Sequence, residues 1–276
     1  MAYDPKKELE RVRNYYAQDP LQKRFSAIIC GNIGVGKSFL LSTARKPVFI
    51  DSFDPGGSKS LEPWIKKGDI VVDTSFENED PYNPTAYKNW EKSTELRLQT
   101  NFYDQFGTYC LDSLSTFGDA VMNYVMATAK GGSRAGEAPM HRRDYNPQKV
   151  LIVNRIKRMM SLPCDFFLTS HLKESIDTIG YDKEGLPITT EKYRMSITGN
   201  AILTIPLQFD EIYVLLGTSG TPGSKVKREL LLDSQGKYIA RSRLKSQGKL
   251  DSLEEPNIKK LLEKMGLDWR DKPKLT

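Results

Sequence analysis

The sequence predicts an α/β protein with a mainly parallel central sheet flanked by helices on both faces. Two observations carry that prediction. Six short apolar, β-branched runs alternate with longer helical patterns along the 276 residues, and a glycine-rich loop of phosphate-binding type joins the first run to the first helix. Buried strands separated by helices are the pattern of a sheet covered on both sides.

The elements follow in order. Pro5–Gln18 reads as an amphipathic helix leading into the first strand. The runs Phe25–Cys30, Pro47–Asp51, Asp69–Asp73, Thr108–Asp112, Asp165–Ser170 and Glu211–Leu216 read as strands. Between them lie helical patterns at Ser38–Thr43, Thr85–Phe106, Thr116–Lys130, Pro147–Leu162 and Asn200–Leu207. Two segments read as long loops by composition: Lys130–Asn146, with three glycines and a proline, and the polar His171–Gly199. Val226–Asp233 and Lys237–Arg243 meet at Ser234-Gln235-Gly236 and are expected to form a C-terminal β-hairpin, and Glu255–Leu267 a small closing helix. The expected organisation is an extension over 1–24, a core over 25–249 and a tail over 250–276.

Composition narrows the class. With 38% hydrophobic and 28% charged residues, collagen-like, low-complexity and disulfide-dense scaffolds are excluded. No run approaches a membrane span, and residues 1–19 are too polar for a signal peptide, so a soluble cytoplasmic protein without a membrane partner is expected. Cys30, Cys110 and Cys164 are far apart and embedded in apolar runs, which suits reduced buried thiols better than a metal site. The net charge of +6 permits a polyanionic partner without establishing one.

Residues Gly31, Asn32, Ile33, Gly34, Val35, Gly36, Lys37 and Ser38 complete a G-x-x-x-x-G-K-[ST] pattern, followed by Phe39. Glycines let the backbone wrap closely round a triphosphate, and the helix amino terminus adds partial positive charge. Lys37 is then expected on the β- and γ-phosphates and Ser38 on Mg²⁺. Such a loop needs a carboxylate at a nearby strand end, and Asp112 supplies one; the same residue, with Ser113, also suits a helix cap. Asp51 ends another strand, and Asp54 follows three residues on. Either is a candidate to polarise the attacking water, and Asp54-Pro55-Gly56-Gly57 also reads as a structural turn.

From Phe25 to Lys249 the chain resembles RecA-type ATPases. Phe49–Pro55 (F-I-D-S-F-D-P) is similar to the family strand that ends in F-I-D and then the catalytic glutamate, but Phe53 stands where that glutamate falls, so Asp51 and Asp54 enter as substitutes. Leu111-Asp112-Ser113-Leu114 resembles the metal-binding strand end. Phe167–Lys173 resembles the strand carrying the γ-phosphate sensor, which implies that role for His171, with Ser170 competing. Thr198-Gly199-Asn200-Ala201 resembles the segment closing the second DNA-binding loop. Arg241-Ser242-Arg243 resembles the basic pair that reaches a neighbouring subunit's γ-phosphate; two arginines on one strand also suit a solvated edge. The pattern is most similar to small phage-encoded RecA-like ATPases associated with single-strand annealing and recombination. That likeness implies ATP/ADP and Mg²⁺, single-stranded DNA, and a homo-oligomeric ring or filament with nucleotide at subunit interfaces.

Charge marks where DNA would lie. Lys130–Lys149 carries five basic residues against two acidic, among them Lys130, Arg134, Arg142 and Arg143; Lys225–Lys249 carries eight against two. His171–Gly199 has four basic and five acidic residues, but offers Tyr181 and Tyr193 for stacking. The expected function is an ATP-hydrolysing protein acting on single-stranded DNA. A hexameric helicase-like translocase shares every motif. A nucleotide-dependent scaffold with little turnover is the alternative that Phe53 favours, whereas no N-K-x-D signature supports a GTPase.

Overall fold

The computed structural model describes residues 4–18, 24–140, 142–197, 201–218, 226–245 and 249–275; Thr198, Gly199 and Asn200 of the expected DNA-loop segment lie outside them. The strands are β1 (Ser26–Gly31), β2 (Val48–Ser52), β3 (Ile70–Asp73), β4 (Thr108–Asp112), β5 (Asp165–Tyr181), β6 (Pro187–Met195), β7 (Glu211–Thr218), β8 (Lys227–Leu231), β9 (Arg241–Ser242) and β10 (Leu253–Glu254). The helices are α1 (Pro5–Gln18), α2 (Lys37–Leu40), α3 (Glu62–Lys66), α4 (Ala86–Gln99), α5 (Leu114–Ala127), α6 (Arg142–Met159), α7 (Ala201–Thr204) and α8 (Ile258–Met265).

The sheet runs β10-β8-β7-β1-β5-β4-β2-β3. All pairings from β7 to β3 are parallel, and β8 and β10 add antiparallel pairings at one edge. β1 is central because every one of its residues is apolar or small, and all are buried. Its alternation divides the core. Ile28 and Cys30 face a cluster with Trp90, Phe117 and Ile152 from α4, α5 and α6. Ala27 and Ile29 face a second cluster with Leu40, Leu61 and Leu261, which places α2 and α8 on the other side. Strands buried on both faces carry near-continuous apolar sequence, which is why the six runs were legible.

Three expectations are corrected. Of the expected loop His171–Gly199, the residues as far as Met195 form a ribbon instead: β5 continues past the sheet and pairs with β6 as a long two-stranded arm. Its isoleucines, threonines and tyrosines favour strand, and Asp182 closes the tip by accepting from the Glu184 and Leu186 amides, with Gly185 at φ 81°. The arm's polarity reflects exposure of both faces to solvent, which composition alone reads as loop.

The C-terminal hairpin is also placed differently. β8 and β9 do not pair with each other; both pair with β7, β8 along Val214–Thr218 and β9 along Glu211–Ile212. They lie end to end beside one strand, and residues 232–240 make an excursion between them that brings Tyr238 against Tyr193. β7 offers a free ladder edge long enough for both segments, which a local hairpin would leave unpaired. Lastly, α6 starts at Arg142, so the expected loop 130–146 is shorter and its last basic residues are helical.

Candidate active site

The phosphate loop connects β1 to α2 at the finishing end of the parallel strands. Gly34 and Gly36 hold φ at 76° and 103°, where a β-carbon is strained, and a β-carbon on Gly31 would sit 2.7 Å from Val35 Cγ1. α2 has only four residues before a 3₁₀ turn at Leu41–Thr43. Its dipole is therefore small, and loop amides and Lys37 carry most of the positive charge. Ile33 is exposed at the loop's crest, and the Phe39 ring leaves the loop to meet Trp64 edge-on at 5.3 Å.

The side chains converge. Ser38 Oγ donates to Asp112 Oδ2 at 2.6 Å, and Thr169 Oγ1 donates to Asp112 Oδ1. β5 intervenes between β1 and β4, so Thr169 is the bridge that aims Asp112 at the loop. Burial raises the Asp112 pKa, against the hydroxyl bonds from Ser38 and Thr169 that favour its charge. A buried carboxylate touching a hydroxyl at a phosphate loop fits Mg²⁺, which takes one or two protein oxygens and completes its shell with phosphate and water. Among the described residues no cluster of three or more His, Cys, Asp or Glu is placed to hold a metal, so Ser38 and Asp112 are the candidate protein ligands.

Lys37 is almost fully buried. Its ammonium donates to Gly31 O and Asn32 O at 3.1 Å and lies 3.2 Å from His171 Nδ1. Burial lowers its pKa, and the nearby Asp112 and Asp54 oppose that shift. The other ring nitrogen, His171 Nε2, is 3.2 Å from Asp54 Oδ2. Because an ammonium only donates, Nδ1 accepts and Nε2 carries the proton to Asp54. Asp54 also accepts from Ser113 Oγ at 2.8 Å and Thr116 Oγ1 at 2.6 Å. Burial pushes its pKa up, but the bonds from His171, Thr116 and Ser113 outweigh this, and the carboxyl is held below its ordinary value. Lys37, His171 and Asp54 thus form one continuous bridge from phosphate loop to the turn after β2. The β1–β5 register, with Gly31 beside His171, creates it.

Other expected site residues fall elsewhere. Asp51 is corrected: its carboxylate is wholly buried and accepts from Trp90 Nε1, Tyr109 OH and Arg97 Nη1, each at 2.8 Å, with burial raising its pKa to about 6. It neutralises Arg97 inside the core and has no path to water. Ser170 Oγ bonds the His171 carbonyl and lies 3.3 Å from Ser115 Oγ, so it braces β5 rather than facing the loop. Arg241 and Arg243 lie at the starting end of β7, opposite the phosphate loop. Arg241 donates to the Pro206 and Phe209 carbonyls at 2.6 and 2.9 Å, which commits it to its own chain; Arg243 is exposed, donates to Leu207 O at 2.9 Å and lies 3.6 Å from Asp210.

Phe53 is buried among Phe76, Trp90 and Phe117, with ring centroids at 5.3, 6.5 and 5.1 Å. The turn beyond it is held by Glu77, which accepts from Ser52 Oγ at 2.6 Å and Gly56 N at 2.9 Å. Sequence reasoning missed Glu77, Thr116 and Thr169, which have no local signal. It also missed Arg228, whose Nε donates to Val35 O at 2.7 Å across the loop; its presence in the basic segment 225–249 was the available hint. A cavity of about 460 Å³ flanks the loop there, lined in part by Asn32, Val35, Leu215, Thr218, Arg228 and Tyr238.

Of the expected DNA residues, Lys130, Arg142 and Arg143 are exposed. Arg134 is instead paired with Glu137 and the buried Asp144, both at 2.9 Å, and pins its loop to α6. Tyr181 is 69% exposed at the arm's tip. Tyr193 is corrected as a base-stacking group, since its ring stacks on Tyr238 at 5.2 Å.

A central parallel sheet with this loop and the Ser38–Asp112 pair is the architecture of a P-loop NTPase fold. The chain belongs to the AAA-domain family, whose model matches residues 23–244. It is similar in fold to a KaiC-like protein from Pyrococcus horikoshii OT3, at 10% identity and a TM-score of 0.39 over 76% of this chain and 79% of that one. The flagellar accessory protein FlaH from Methanocaldococcus jannaschii is similar at 14% identity and a TM-score of 0.41, over 85% and 87%. No curated protein matches the sequence. Among the described residues no helix is long and apolar enough to cross a membrane.

Proposed function

We propose that the chain is a Mg²⁺-dependent ATPase that acts on single-stranded DNA as a homo-oligomer, in recombination or annealing of the phage type. The observation that carries the hydrolytic reading is the Lys37–His171–Asp54 bridge. Loop amides and Lys37 bind the ATP phosphates, and Lys37 exchanges its carbonyl and His171 partners for phosphate oxygens. Ser38 and Asp112 would hold Mg²⁺, which supplies charge neutralisation on the β- and γ-oxygens. Asp54, kept ionised, accepts a proton from the attacking water, and His171, between it and Lys37, responds to the γ-phosphate. The flanking cavity suits the nucleoside. Arg243, exposed beside the start of β7, would act on the γ-phosphate of a neighbouring copy, the role that the sequence resemblance implies for it.

The DNA reading is supported by the exposed Lys130, Arg142 and Arg143 and by the sequence resemblance. ATP hydrolysis is measured with and without single-stranded DNA, alongside DNA affinity at several salt concentrations. Stimulated turnover and salt-sensitive binding are expected; an unchanged rate with no salt-sensitive binding overturns the DNA part. Displacement of a strand from a forked duplex would instead identify a translocase. A second reading, a nucleotide-dependent scaffold with little turnover, is favoured by Phe53 lying in an aromatic core where the family carboxylate belongs; nucleotide binding without hydrolysis identifies it.

A further inference from the structure

Arg228 meets the phosphate loop from the side opposite Asp112 and His171. It lies on β8 in register with Gly217 of β7, two residues from the Leu230–Leu215 pair. Directly opposed residues share a face and alternate residues along a strand do so too. Leu215 and Leu230 pack in the cluster that holds Leu40 and Leu41, so Arg228 rises on the α2 side of the sheet. Gly217 contributes no side chain to that face, and Val35 of the loop fills the space, with Cγ2 3.1 Å from where a β-carbon on Gly217 would sit. From there the arginine reaches the loop: Nε donates to Val35 O at 2.7 Å and lies 3.3 Å from the β-carbon position of Gly36. A guanidinium is thus laid against the glycine that precedes Lys37.

This contact uses one of the five N–H donors of a guanidinium. Among the described residues Arg228 has no other hydrogen bond and no ion pair, and it is exposed. Its neighbour Glu229 belongs to the opposite face of β8 and pairs with Lys227 at 2.8 Å. A cation without a counter-charge therefore sits at the rim of a loop that suits phosphate. Holding the Val35 carbonyl needs a single donor, which any amide could supply. The edge that carries Nη1 and Nη2 matches two oxygens of one anion, and that sets arginine apart from other donors at such a position.

Sheet order decides which phosphate this edge would meet. β1 leads into the loop; β5 and β4, bearing His171 and Asp112, lie on one side of it, and β7 and β8 lie on the other. Lys37, Ser38 and Asp112 assign the terminal phosphates and the metal to the first side. The cavity of about 460 Å³, lined in part by Val35, Thr218, Val226 and Arg228, lies on the second. A nucleotide with its γ-phosphate at His171 and its nucleoside in that cavity brings its α-phosphate to Arg228.

We propose that Arg228 binds the nucleotide of its own chain, with Nε fixed on the Val35 carbonyl and the Nη pair gripping the phosphate next to the nucleoside. The inference rests on the phosphate-loop reading above and extends it to a recognition group for the nucleoside end. Because ADP retains that phosphate, the contact holds substrate and product alike and leaves the chemical step unchanged.

Calorimetry measures the affinity of Mg²⁺-ADP and of the Mg²⁺ complex of the β,γ-imido analogue of ATP for the parent, Arg228→Gln, Arg228→Ala and Arg228→Lys, and steady-state hydrolysis gives kcat. Arg228→Gln is the decisive variant, because a glutamine amide nitrogen falls at the position of Nε and keeps the bond to Val35 O while the Nη pair and the charge are lost. Arg228→Gln and Arg228→Ala are expected to bind both nucleotides about 10–100-fold more weakly, as hydrogen bonds to a charged group disappear. Their kcat should stay within a factor of about two of the parent's, with the thermal midpoint unchanged. Arg228→Lys, which keeps the charge without the paired donors, should recover part of the affinity. An Arg228→Gln variant that binds like the parent overturns the inference and leaves Arg228 as a clamp on the loop. Weaker binding of the ATP analogue with unchanged ADP affinity overturns it too, by placing Arg228 on the terminal phosphate, and full recovery in Arg228→Lys overturns the paired grip. A parent that binds neither nucleotide overturns the phosphate-loop reading itself, and this inference with it.

Discussion

Replacing Asp54 by Asn keeps the side chain's size and removes its charge. The amide oxygen takes the place of Oδ2 and still accepts from His171 Nε2–H at 3.2 Å, while the amide nitrogen donates to the Ser113 and Thr116 hydroxyls, at present 2.8 and 2.6 Å from Oδ1. The bridge to Lys37 is kept, and what is lost is the charge and the proton-accepting carboxylate. Loss of a positioned base lowers turnover by about 10²–10⁴-fold, or about 3–5 kcal/mol in barrier, while nucleotide affinity stays close to the parent's. Steady-state hydrolysis, nucleotide binding by calorimetry and urea unfolding together test this. Turnover within a factor of about three of the parent, in a variant that binds nucleotide and unfolds like it, would refute the role of Asp54.

Thr169→Val removes the hydroxyl that aims Asp112, and Mg²⁺-dependent nucleotide affinity should fall about 10–100-fold with the fold retained; titrating Mg²⁺ at fixed nucleotide checks it. Lys37→Ala should abolish hydrolysis, as the transferring phosphoryl group loses its counter-charge, which a phosphate-release assay reads directly. Phe53→Glu restores the family residue by sequence, yet it should not raise turnover and should destabilise the chain by about 3–5 kcal/mol or more, because a packed aromatic is lost and a carboxylate buried; faster hydrolysis at an unchanged melting temperature contradicts this. Burial raises the Asp51 pKa from 3.8 to about 6, so its contribution to stability is fully present below about pH 4 and is lost as pH rises through about 6. Relative to Asp51→Asn, the parent's urea midpoint should therefore decline across that window; a constant difference between the two would show that Asp51 does not titrate there.

Much of the framework was readable from local pattern. β1, β2, β3, β4 and β7 were visible because a strand covered on both faces must be apolar throughout, and the phosphate loop because its glycines and lysine act through adjacent backbone. The arm was misread because exposed ribbon and exposed loop share a polar composition, and only pairing distinguishes them. Asp51 and Asp54 look alike in sequence, three residues apart. The strand pleat turns the first into the core beneath Arg97, Trp90 and Tyr109, and the turn held by Glu77 carries the second to His171.

The sequence alone determined the covalently local features: which runs could be buried, where phosphate could be wrapped, and which residue types stood near it. Tertiary structure decided everything that joins distant segments. The insertion of β5 between β1 and β4 makes Thr169 the link from Ser38 to Asp112, and the same register sets His171 between Lys37 and Asp54. Contacts like these depend on strand order and register, which are fixed by the summed burial of whole faces, so no single motif could have announced them.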